Sequence, residues 1–189
     1  MIEYYYKCLP KRCYHNGDYT LEAVQPDHIE KIRQWRNEQM DVLRQSKLIS
    51  NEEQIAYYEK HVWPEMIKKY PDKILFSLKY DGGFHGYCGL VNISWENLRG
   101  EISFLLETQI ANRRKDYNEI FPIVLMMIKN IAFGELSLNR IFGELFDIRP
   151  QYAEAFENAG FMLEGVLKAH SRLNGKLVDS LVYGILNTK

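Results

Sequence analysis

Along the chain, hydrophobic positions switch between a period of two and a period near 3.6, and the switches mark out an ordered series of strands and helices. Tyr19 to Val24 alternates after the turn residues Gly17 and Asp18 and predicts a short strand. Asp27 is placed to cap a helix in which Ile29, Ile32 and Trp35 recur at helical spacing, ending near Asn37 to Met40. Ser50 followed by Glu53 is a capping box. It predicts a second helix with Ile55, Tyr58 and Val62 on one face, running to about Lys69 with a kink at Pro64.

Lys73 to Tyr80 and Phe84 to Ser94 read as strands joined by Asp81-Gly82-Gly83, a hairpin signal because glycine adopts positive φ without steric cost. Glu101 to Glu107 predicts a third strand of the same meander. Asn118 to Leu136 is apolar with helical spacing, and Arg140 to Phe146 alternates again. Pro150 suits the first turn of a helix over Gln151 to Ala159, which Gly160 ends. Phe161 to Leu173 and Lys176 to Leu186 then form a hairpin about Asn174-Gly175.

The order β-α-α-β-β-β-α-β-α-β-β joins a meander to a strand-helix-strand crossover, so the fold class is α/β (α+β). It implies a mixed sheet of about seven strands with helices on both faces. One domain is expected over residues 18–189, preceded by an N-terminal leader, residues 1–17. Ligands bind where parallel neighbours in such sheets diverge, which places the candidate cleft between the strand ending at Glu107 and the strand Arg140 to Phe146.

Composition narrows the function. A formal net charge of −1 in 189 residues, with a pI near 6.5, supplies no basic field for nucleic acid. The three cysteines, Cys8, Cys13 and Cys88, are an odd number and point to a reducing compartment. Cys8, Cys13 and His15 lack a further Cys/His pair to complete a tetrahedron, so no metal site is expected. Met1 to Tyr6 does not read as a signal peptide, and the apolar run Ile120 to Phe133 is too short for a membrane span, so a cytoplasmic protein is expected.

A set of ordered segments resembles the GNAT N-acetyltransferases, in particular the branch acting on ribosomal proteins and amino sugars. The segments are Trp35-Arg36-Asn37, Gly86-Tyr87-Cys88-Gly89-Leu90, Glu101-Ile102-Ser103-Phe104, Ala132 through Ile141, Phe156 through Phe161, Glu164-Gly165 and Asp179 through Gly184. The resemblance implies a centrally splayed sheet, acetyl-CoA as co-substrate, and direct acyl transfer to a primary amine of a small acceptor in a ternary complex. Backbone N–H groups around Phe104, Leu105 and Leu106 would polarise the thioester carbonyl. The CoA pyrophosphate would meet the stretch Asn112-Arg113-Arg114-Lys115-Asp116-Tyr117-Asn118. Family members carry glycines there; this chain has none, and the charge of Arg113, Arg114 and Lys115 stands in their place.

Two further positions depart from the family. Phe156 stands where many members have the tyrosine that reprotonates the leaving thiolate, and Arg149 stands where an asparagine contacts the pantetheine arm. Tyr152, one helical turn earlier, is the nearest phenol. An alkylammonium of pKa about 10 must lose a proton before it attacks, and Glu101 is the first candidate to accept it, with His85 second. Each also has a structural reading: Glu101 as a partner of Arg99 or a neighbouring strand, His85 as an exposed turn residue, Tyr152 as a core or surface ring. The acceptor is an amine on a nucleotide-linked sugar or a protein N-terminus; a silent CoA-binding scaffold is a third reading. A homodimer would cover an exposed edge strand such as Lys176 to Leu186.

Overall fold

The computed structural model describes residues 3–188. Its strands are β1 (Cys13–Asn16), β2 (Tyr19–Ala23), β3 (Ile74–Tyr80), β4 (Gly83–Ser94), β5 (Arg99–Leu106), β6 (Arg140–Phe146), β7 (Met162–Leu173) and β8 (Lys176–Leu186). The helices are α1 (Ile29–Glu38), α2 (Asn51–His61), α3 (Thr108–Asn112), α4 (Arg114–Asn130) and α5 (Pro150–Asn158). One 8-stranded sheet has the order β1-β2-β3-β4-β5-β6-β8-β7. Among the described residues, only β5 and β6 run parallel as neighbours.

Successive strand residues point to opposite faces, and each face carries its own core. On one face Leu75, Tyr87 and Leu105 pack with Ile29, Ile32 and Trp35 of α1 and Tyr58 of α2. On the other, Ile74, Phe76, Cys88, Ile102 and Leu106 pack with α4 and α5. Seven residues of α4 are buried: Tyr117, Ile120, Phe121, Val124, Leu125, Met127 and Ile128. At about 1.5–3 kcal/mol for each large apolar side chain, their burial outweighs the roughly 3 kcal/mol cost of Pro122 inside the helix.

Several boundaries differ from the expectation. The leader contributes an additional strand, β1, which pairs with β2 from Cys13↔Glu22 to Asn16↔Tyr19, so the sheet has eight strands rather than about seven. Tyr6 and Leu9 of the leader are buried in the main core, and the Tyr6 hydroxyl accepts a hydrogen bond from Leu75 N at 2.9 Å. Met1 and Ile2 of the expected leader, and Lys189 of the expected domain, lie outside the described residues. The second helix stops at His61, with Val62 as its C-cap; Pro64, which has no N–H to continue the ladder, lies in the 3₁₀ segment Trp63–Ile67 that follows. The long helix begins at Arg114, a turn earlier than Asn118, and its last turn, Ile131–Glu135, widens to π geometry.

The feature that positions the site is the break between β5 and β6. They pair only at Arg99↔Arg140, Gly100↔Ile141 and Glu101↔Phe142. Beyond these, β5 remains paired with β4 as far as Leu106, and β6 with β8 as far as Phe146, while their facing edges diverge. An aromatic wedge fills the base of the opening: Phe104 lies 4.1 Å from Phe121 and 6.1 Å from Tyr152, centroid to centroid. Gly143 of β6 admits the Phe156 ring, since a Cβ there would sit 2.7 Å from Phe156 Cζ. Phe156 is therefore a buried packing residue directly under the splayed strand.

Candidate active site

The opening between β5 and β6 is a cleft of about 210 Å³. Ile102 to Leu106 of β5 and Glu144 to Phe146 of β6 line it, with Tyr117, Tyr152, Gln39 and Val42 to Arg44. Gln39 is buried and donates from Nε2 to Leu106 O at 2.9 Å, tying the segment after α1 to the end of β5. A second chamber of about 370 Å³ lies beneath α1 and α2. The two share Arg36, Tyr87 and Ser103, so a donor in the first and an acceptor in the second would meet at the middle of β5.

The segment between α1 and α2 owes its position to Asn37. That side chain donates to Ile49 O at 3.0 Å and accepts from Ile49 N at 2.9 Å, and Gln45 Nε2 donates to its oxygen at 2.9 Å. Within Trp35-Arg36-Asn37, the tryptophan is core, the asparagine holds the loop, and the arginine stands where the chambers join. Arg36 donates from Nη1 to the Tyr87 hydroxyl at 3.0 Å and from Nε to Gln45 Oε1 at 3.2 Å.

Of the residues singled out in sequence, Phe104, Leu105, Leu106, Tyr117 and Tyr152 come together around the first cleft. Tyr152 is buried on α5, and its hydroxyl accepts from Arg149 Nη1 at 3.1 Å, so Arg149 backs the phenol from outside the cleft wall. Burial raises the Tyr152 pKa above its ordinary value, opposed by the Arg149 charge. Tyr117 lies with its ring centroid 5.0 Å from that of Tyr152, and its buried hydroxyl has no protein hydrogen-bond partner. Such an orphan at the wall of a cleft fits a ligand that brings its own acceptor.

The stretch from Asn112 to Asn118 is not an open loop. α3 ends at Asn112, Arg113 caps, and the first bond of α4 runs from Tyr117 N to Arg113 O at 3.0 Å. The amides of Arg114, Lys115 and Asp116 precede that bond at the positive end of a 17-residue helix, and Arg113 supplies no side-chain cap. The side-chain charge is partly compensated: Arg113 Nε lies 2.8 Å from Asp116, and Arg114 pairs with Glu154 of α5, which also accepts from Asn118 Nδ2 at 2.9 Å. Lys115 is the most exposed of the three cations, 3.9 Å from Glu119.

Neither Glu101 nor His85 lines either chamber, although Glu101 directly precedes Ile102 of the first cleft wall. Glu101 holds the last paired position before the strands diverge; it accepts from Asn92 Nδ2 at 2.8 Å and lies 3.8 Å from Arg44 Nη1, and Arg99 is not its ion-pair partner. His85 lies outside both chambers, stacked on Tyr80 with its Nδ1 2.9 Å from Glu107 Oε2. Sequence reasoning missed Arg44 and Glu144. Arg44 Nη2 lies 2.6 Å from Glu144 Oε1, so one guanidinium bridges carboxylates on the two diverging strands, with His170 Nε2 of β7 3.6 Å from Glu144.

A family model described as an acetyltransferase (GNAT) domain matches residues 21–182. A search of curated proteins finds no match. Among solved structures, the chain is similar to spermidine N-acetyltransferase from Vibrio cholerae in complex with CoA and spermine, at 20% identity and a TM-score of 0.78, covering 92% of this chain and 98% of that one. It is similar also to a chimera of that Vibrio enzyme with hSSAT (19% identity, TM-score 0.75, 90% and 96% covered) and to a dodecameric structure of the enzyme (19%, 0.72, 90% and 95%). With a matching domain model over most of its length and a sheet opened between its two parallel strands, the chain belongs to the GNAT acetyltransferases and takes acetyl-CoA as its acyl donor.

Proposed function

We propose that the chain transfers the acetyl group of acetyl-CoA to a primary amine of a small acceptor held in the chamber beneath α1 and α2. The observation that carries this reading is the junction of the two chambers at Arg36, Tyr87 and Ser103, beside a strand edge whose backbone groups have no strand partner. Bound acetyl-CoA supplies an acetyl group activated as a thioester. The open edge of Phe104 to Leu106 offers N–H groups to the thioester carbonyl. Tyr117 offers its unpaired hydroxyl to the pantetheine arm, and the α4 N-terminus with Arg113, Arg114 and Lys115 faces the phosphates.

Glu101, through water, accepts the proton that the ammonium must lose. The amine nitrogen then bonds to the carbonyl carbon as the C–S bond breaks, and its second proton, shed as the amide forms, replaces the one that Tyr152 gives up. Tyr152, kept protonated by burial and already accepting from Arg149, has its own proton to give to the departing thiolate. Arg44, which lines the cleft with Glu144, links Glu101 to it by pairing with both carboxylates.

The acceptor favoured here is a nucleotide-linked amino sugar, because Tyr57, Tyr58 and Tyr87 give the chamber ring faces against which a base or sugar can pack. A polyamine, as held by the similar Vibrio structure, is less well matched: the one carboxylate lining the chamber, Glu53, is engaged by Lys47 at 2.6 Å and by Ser50 N at 3.0 Å. Three free cysteines suit a reducing, cytoplasmic setting. Lys176–Leu186, expected at an edge, is β8 and is paired on both sides by β6 and β7, so a homodimer contact would instead form along β7, one of the two edge strands, which exposes Met162, Leu163 and Val166.

The test is thiol release from acetyl-CoA in the presence of aminated sugar nucleotides, peptides with free N-termini and polyamines. Release should require a primary amine and be fastest with an aminated sugar nucleotide. Release no faster than hydrolysis with every amine, from protein that binds acetyl-CoA, would overturn the transferase reading.

A further inference from the structure

Arg36 is a half-buried guanidinium with no carboxylate within ion-pair distance among the described residues. Its hydrogen bonds go to two uncharged oxygens, the Tyr87 hydroxyl and Gln45 Oε1, leaving Nη2 without a protein acceptor. An arginine withdrawn from water is normally matched by an anion, since its planar fork of donors suits carboxylate or phosphate and its charge is costly to leave unmatched. The neighbouring charged groups do not supply one: Lys47 is a second cation on the chamber wall, and Glu53 is held by Lys47 and by its own helix cap. The remaining wall is apolar and aromatic, with Ile32, Ile49, Leu75 and Val91 beside the tyrosines.

We infer that Arg36 is the anion anchor of the acceptor chamber, so that the substrate is a primary amine bearing a carboxylate or phosphate group. This rests on the acetyl-transfer reading of the site and narrows it. Arg36 is a specificity residue in this account: it fixes the anion at the chamber junction and thereby presents the amine to the thioester near Ser103, the β5 residue common to both chambers. The Tyr87 hydroxyl, which accepts from Arg36, keeps its own proton for a second bond to the same anion.

The experiment compares kcat/KM for matched acceptors at saturating acetyl-CoA: an amino acid against its methyl ester, an aminated sugar phosphate against its dephosphorylated form, and spermidine. The wild type should favour the anionic member of one pair by at least about tenfold, as expected for hydrogen bonds to a charged group, and the pair that shows the preference tells carboxylate from phosphate. In Arg36→Gln the preference should collapse through a raised KM for the anionic member alone, and Arg36→Lys should retain part of it. Acetyl-CoA affinity by calorimetry should stay within about threefold of wild type. Equal loss for both members of a pair, weakened acetyl-CoA binding in place of acceptor binding, or a wild-type preference for spermidine would each overturn the assignment while leaving acetyl transfer intact. Acetylation of no amine at all would instead remove the transferase reading on which it rests.

Discussion

Glu101 stands at the one place on β5 where a side chain is held by the paired part of the sheet while the backbone beyond it is free. Replacing it by Gln keeps its shape and its contact with Asn92 Nδ2 and removes the base. Turnover should fall by at least about tenfold with little change in acetyl-CoA affinity, and the acidic limb of the rate profile should shift or vanish. Full turnover across pH in a variant with an unaltered melting temperature would make Glu101 a structural carboxylate. At this scale the sequence was informative where the residue belongs to a regular element: Phe104 to Leu106 follow from the strand, Tyr152 from the helix after Pro150. It was silent on Arg44 and Glu144, which meet across 100 positions of chain, because the segment carrying Arg44 has no hydrophobic period and is placed by polar contacts such as Asn37 with Ile49 and Gln39 with Leu106 O. His85 illustrates the converse: the residue type does not say what a side chain at a strand end meets, and its partners are Tyr80 and Glu107.

Among the elements, the hairpins were the most legible, since Asp81-Gly82 and Asn174-Gly175 adopt the positive φ values their residue types favour. β1 was not, because Cys13–Asn16 is a strand of 4 residues whose pattern is too short to register and whose existence depends on pairing with β2. The start of α4 lies a turn before the expected one because Arg114, Lys115 and Asp116 carry no apolar spacing, though they form the end proposed to face the phosphates. Changing Arg113, Arg114 and Lys115 together to Ala should weaken CoA much more than a pantetheine lacking the nucleotide phosphates, because the lost contacts are to phosphate. Equal weakening of both ligands would place the phosphates elsewhere. Arg114 also pairs with Glu154, so melting temperatures are needed to show that α4 and α5 remain docked in the variant.

For the whole molecule, the two faces of one sheet carry two cores, and the parallel pairing of β5 and β6 ends after Glu101↔Phe142. α4 and α5 flank the first chamber, α1 and α2 flank the second, and the segment between α1 and α2 lines both. No described helix is long and apolar enough to cross a membrane. The central claim is that this opening binds acetyl-CoA although the phosphate stretch lacks glycine, and the direct measurement is the melting temperature with and without acetyl-CoA. A ligand at a hundred times its dissociation constant adds about 2.7 kcal/mol to the native state. In a chain of this size each kcal/mol raises the midpoint by roughly 2–4 °C, so the account predicts a saturable rise of about 5–11 °C, smaller for pantetheine than for CoA. An unchanged melting temperature at millimolar acetyl-CoA would contradict it.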